Sequence, residues 1–162
     1  IGQDRIRLNM SLTGDDAMTF DNLALIITAG VLATYAHIMM ALWAPKYGLP
    51  KIDLAMGMAD ICWGESFDGK PPYWMGFVVI HLNGIIFALV YATEVGQHLP
   101  YPGAVAGVLW GVILWVGAML IFVPVFFRDG LFALKMDKMA WATALVVHSV
   151  YGAIIGWLCP IL

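Results

Sequence analysis

Three histidines carry the strongest chemical signal in this sequence. His37, His81 and His148 each fall inside a long apolar run, where an ionisable ring is costly and marks a candidate functional site. His37 stands six residues before Trp43, His81 eight after Tyr73 and His148 eight after Ala140. Read as helices that share one entry side, these offsets set all three rings roughly 9–12 Å deep, at about 1.5 Å per residue. Each ring shares a helical face with small residues: His37 with Gly30, Ala33, Thr34 and Ala41, His81 with Gly84 and Ala88, His148 with Ala144 and Gly152. Small neighbours imply the inside of a bundle. His81 and His148, at one depth on parallel helices, could ligate a b-type haem axially. All three could hold a transition metal, or a quinone-like headgroup could bind there. Asn83, Tyr35, Ser149 and Tyr151 are the polar groups near enough to orient ring nitrogens. The bland alternative is that each histidine bonds across helices and fixes packing without any ligand.

Other chemistries leave no trace. There is no HExxH, GxSxG, Walker or GxGxxG pattern and no cluster of His-xxx-His boxes. Cys62 and Cys159 form no CxxC pair and read as apolar filler. A net charge of −3 without a basic run argues against a nucleic acid partner.

The elements that must position the histidines follow from solvent. Of 162 residues, 62% are hydrophobic and only 12% charged, about half the charge that a water-facing surface requires. Lipid is therefore the expected surroundings. Four runs reach the roughly 20 residues that span hydrocarbon: about 22–43, 73–94, 103–127 and 140–159. Trp43, Tyr47, Tyr73, Trp74, Tyr101, Trp141 and Trp157 mark their ends at headgroup level. Most prolines lie outside the runs, whereas Pro124 falls in the last turns of the third and should kink or end it. Residues 1–21 are polar and read as an extramembrane tail.

Lysine and arginine set the orientation. The first connection carries Lys46, Lys51 and Lys70 and the third Arg128, Lys135 and Lys138, while the second has none. Both of those loops should be cytoplasmic and both termini periplasmic, if the membrane is a bacterial inner one. Within the first loop, Ile52 to Trp63 has Asp53 and Asp60 on one helical face and Leu54, Met58, Ile61 and Cys62 on another. That pattern predicts a short amphipathic helix in the interface.

The halves repeat. Ala29-Gly30-Val31-Leu32 recurs as Ala106-Gly107-Val108-Leu109, and Trp74 precedes His81 by the same seven residues that separate Trp141 from His148. The expected fold is thus an all-α four-helix membrane bundle built from two duplicated hairpins. Gly103, Gly107 and Gly111, each four apart, form a small-residue ridge for packing within the bundle or against another subunit.

Gly48-Leu49-Pro50-Lys51-x-Asp53, His81 through Tyr91 and His148-x-x-Tyr151-Gly152 together resemble an uncharacterised family of small four-helix bacterial inner membrane proteins. The likeness spans most of Ala29 to Leu158 and implies architecture, with no activity attached to it. The function expected from these readings is a small non-catalytic subunit of a larger respiratory or photosynthetic membrane complex, in contact with lipid and other subunits. The alternative is an electron-transfer protein holding haem b through His81 and His148, and a third reading is a free-standing pore or carrier.

Overall fold

The computed structural model describes residues 18–64 and 69–162; of the tail expected over residues 1–21, residues 1–17 lie outside the described residues, and Phe20 and Asp21 belong to the first helix. Every regular element among them is helical: α1 (Phe20–Trp43), α2 (Leu54–Trp63), α3 (Tyr73–Val90), α4 (Gly103–Gly117) and α5 (Ala140–Leu158). Two of these continue as π-helix, α3 through Tyr91–Val95 and α4 through Ala118–Phe127. With these extensions four helices are long and apolar enough to cross a membrane, and the chain is an integral membrane protein.

Local sequence explains where the helices begin and change pitch. Thr19 caps α1 by accepting the Asn22 amide at 3.2 Å, and Asp53 caps α2 by accepting the Met56 amide at 3.2 Å. Pro124 has no N–H to donate, and its ring would collide with the carbonyl four residues back in an α-helix. Pro124, expected to kink or end the span, lies in a ten-residue π-helical stretch whose wider turns make room for the ring, and the helix ends at Phe127.

Packing sets the helix order across the bundle as α3, α1, α5, α4. The tightest seam joins α4 to α5. A Cβ on Gly107 would strike the Gly152 carbonyl oxygen, and one on Gly111 the His148 carbonyl oxygen. Glycine at these places lets the two backbones touch. Gly107 and Gly111 of the small-residue ridge are therefore spent within the bundle, while Gly103 sits at the helix start with φ 61° beside Gly156. A second close approach joins α1 to α3, where Gly30 meets the backbone at Gly84 and Ile85.

The first loop is tied down as well. Helix α2 packs on the opening turns of α3, with Ala55 and Ala59 fully buried against Gly76. The Phe127 ring lies on Gly57. Thr143 at the start of α5 donates to the Pro50 carbonyl at 3.0 Å. These contacts gather the first and third loops at one end of the bundle. At the other end, Tyr91, Ile26, Ile155 and Trp110 fill the core.

Candidate functional site

Helices α3 and α4 close the row only at the end away from the first loop. There Trp110 meets Phe87 at 6.3 Å and Tyr91 at 6.5 Å between ring centroids. Toward the loops the two helices part, and a cavity of about 1180 Å³ opens between them. Ile80, Asn83 and Phe87 form one wall, and Ile113, Gly117, Ile121 and Phe126 the other. Ile113, Ile121 and Phe126 are half-exposed or more, so the cavity opens sideways where lipid would lie. Its loop end is lined by Asp53 and Asp60 beside α2 and by Arg128 and Asp129 after the third span.

Four polar side chains from α1 and α5 make the floor: Thr34, His37, His148 and Tyr151. Their hydrogen bonds are nearly all to backbone carbonyls of helices. Thr34 donates to Gly30 at 2.7 Å, and Tyr151 reaches across to donate to Gly84 at 2.6 Å. His148 Nδ1 lies 2.7 Å from the Ala144 carbonyl oxygen. A carbonyl can only accept, so Nδ1 carries the proton and a neutral ring keeps its lone pair on Nε2. The His37 ring packs edge-on against His148, with centroids 4.8 Å apart, and lies 6.1 Å from Tyr151. His37 Nε2 is buried without a hydrogen-bond partner. Such an orphan costs free energy in the interior, and natural proteins rarely keep one without a reason.

The structure brings together two of the three sequence-singled histidines. His81 is partly exposed, its Nδ1 lies 2.8 Å from the Phe77 carbonyl oxygen, and its ring rests on Phe77 at 4.2 Å. Held along its own helix in this way, it makes no ring contact with His37 or His148 among the described residues. The trio is not assembled, and no group of three metal-binding side chains occurs among the described residues. The His37 and His148 rings, with centroids 4.8 Å apart, leave no room for a macrocycle between them. Of the accessory polar groups, Tyr151 and Asn83 line the cavity, Ser149 bonds its own helix at Leu145, and Tyr35 is exposed on the surface.

Sequence reasoning missed the cavity itself and the role of Thr34 and Asp60 in lining it. The signal for the void was faint: Gly117 faces open space in the middle of the third span, with nothing within 4 Å of where its Cβ would be. A model of a family of unknown function, DUF6789, matches residues 20–162. The chain belongs to that family. This agrees with the resemblance drawn from the loop and histidine motifs, since the matched region includes all of them. No curated protein and no solved structure matches the chain.

Proposed function

We propose that this chain is a non-catalytic membrane protein that holds an apolar small molecule with a polar head inside the bilayer. The observation that carries the reading is the cavity of about 1180 Å³ between α3 and α4, with His37, His148 and Tyr151 at its floor. Small-molecule sites run to about 300–1,000 Å³ and pair apolar walls with a few convergent polar groups. Close-packed interiors leave few voids larger than a water molecule. A space of this size, open sideways and polar at one point, suits a molecule that arrives from the hydrocarbon with its head leading.

The test is extraction. Purified protein in mild detergent is compared with a Gly117→Phe variant, whose new ring would enter the open space beside α4. Mass spectrometry of the organic extract should find one small amphiphile enriched in the parent protein and depleted in the variant. Extracts that match each other and a detergent blank would refute the reading.

A second reading keeps the cleft and changes its occupant: a small accessory subunit of a larger respiratory or photosynthetic complex, with a neighbour's helix against α4. Gly117 favours it, because a small residue facing open space in mid-span is where another backbone can approach. Migration as an isolated monomer in mild detergent, with no other subunit, would exclude it. A third reading, electron transfer through haem b at His81 and His148, rests on sequence pattern alone; a Soret band in the purified protein would support it, and a missing one would exclude it.

Three further parts of the reading rest on pattern. The Lys- and Arg-bearing first and third loops are cytoplasmic in a bacterial inner membrane, and both termini are periplasmic. Helix α2 lies in the interface with Cys62 outward. The two hairpins arose by duplication, supported by the matching approach of Gly30 to Gly84 and of Gly107 to Gly152.

A further inference from the structure

Resting on the ligand-binding reading above, we infer that the cavity selects a bilayer-soluble alcohol or phenol, whose hydroxyl donates to His148 Nε2 and accepts from Asn83. Three of the four floor side chains offer acceptors, while His37, the fourth, has an unpartnered Nε2 and as a neutral ring carries one N–H. The Thr34 and Tyr151 hydroxyls have committed their protons to Gly30 and Gly84, and His148 Nδ1 has committed its proton to Ala144. What these groups still offer a ligand is lone pairs: two hydroxyl oxygens and one imidazole nitrogen. Asn83, on the facing wall, carries an amide that donates as well as accepts.

A ketone, quinone or ether brings only acceptors, which His37 and Asn83 can meet but which leave the lone pair on His148 Nε2 without a donor. A hydroxyl carries one proton and two lone pairs, so it answers both walls at once. A wrong match is costly at this floor, because an unmet polar group in a buried site keeps its full desolvation penalty. Discrimination by an unmet hydrogen bond is stronger than discrimination by shape alone. The rest of the ligand is apolar, as Ile80, Phe87, Leu114 and Val123 dictate.

The probes are 4-nonylphenol and its methyl ether, which differ by the hydroxyl proton and one methyl group. Each is titrated into the full chain in lipid nanodiscs and binding is read calorimetrically. The phenol is expected to bind at least about tenfold more tightly than the ether, the ratio that one net hydrogen bond supplies. His148→Phe should bring that ratio close to one. Should the variant fail to fold, the parent protein still decides the matter: the ¹⁵N resonance of His148 Nε2 should move on adding the phenol and stay in place with the ether. Equal binding of both probes, or an unmoved resonance, overturns the hydroxyl preference while leaving a ligand-binding cavity in place. Binding of neither probe overturns the preference and the ligand-binding reading together.

Discussion

Replacing Gly107 by alanine tests the seam on which the floor of the cavity depends. The added carbon would press on the Gly152 carbonyl oxygen and lie 2.6 Å from the Gly156 amide nitrogen and 2.7 Å from its Cα. Carbon atoms rest about 3.5–4.0 Å apart, so α4 and α5 must part by roughly 1 Å. All three opposing atoms are backbone, and no rotamer change relieves the contact. Parting the helices also strains the seam further along, at Gly111 against His148 and at the bond from Trp115 Nε1 to the Trp141 carbonyl, which is 3.0 Å long. Overpacking of this kind costs about 1–3 kcal/mol. The control lies on the same helix: alanine at Gly117 meets nothing within 4 Å and should stabilise by up to about 1 kcal/mol through helix propensity. The two variants should therefore differ by about 1–4 kcal/mol, or roughly 5- to 700-fold in the unfolding equilibrium. Reversible unfolding in mixed micelles, followed by circular dichroism and tryptophan fluorescence, measures the difference. If Gly107→Ala unfolds like the parent protein, or Gly117→Ala is equally damaging, the assignment of the seam is wrong.

Other perturbations reach different parts of the molecule. Thr143→Val removes the donor to the half-buried Pro50 carbonyl and should cost about 1–2 kcal/mol, with faster protease cleavage of the first loop. An unchanged cleavage rate would show that this bond does not hold the loop. Gly76→Val would drive its side chain into the backbone at Ala55 and Ala59, so α2 should detach while the four spans keep their helicity; proteolysis beside intact circular dichroism is the expected pair of results. Membrane-impermeant maleimide should label Cys62, which is exposed, and reach buried Cys159 only after denaturation. Labelling in inside-out vesicles but not in right-side-out spheroplasts would agree with cytoplasmic loops, and the reverse pattern would overturn that orientation. Arg128 adopts φ 59° where π-helix gives way to loop, and Arg128→Gly should raise stability by about 1 kcal/mol in thermal unfolding. A lower melting temperature would count against strain at that residue.

The four apolar helices were legible because hydrocarbon imposes a length and a composition that can be read residue by residue. The inward face of α1 was legible for a related reason: Gly30, Ala33, Thr34, His37 and Ala41 repeat at helical spacing, and all five are buried. His81 shows where that reading stops. Its neighbours Gly84 and Ala88 are buried as their spacing suggests, but the ring turns back along its own helix to the Phe77 carbonyl. Periodicity gives the side from which a residue leaves its helix and is silent about the rotamer and the partner it then finds. The order of the spans was equally hidden, because lipid-facing and helix-facing positions draw on the same residues, and only Gly107 and Gly111 hinted at which pair lies closest. The π-helical stretch around Pro124 depends on a choice between kinking and widening that hydropathy does not record. The cavity between α3 and α4 is a gap between non-neighbours, and no run of residues encodes a gap.

The aromatic contacts of Trp110 with Phe87 and Tyr91 carry a consequence for traffic. They stop up the chamber at its far end, so a guest that enters from the side or from beneath α2 meets a dead end near the middle of the bilayer and must leave by the way it came. On the proposed ligand-binding reading, such a vessel stores or presents its contents and does not conduct them. Sealed liposomes carrying the protein should stay as tight as empty ones until that plug of rings is pulled.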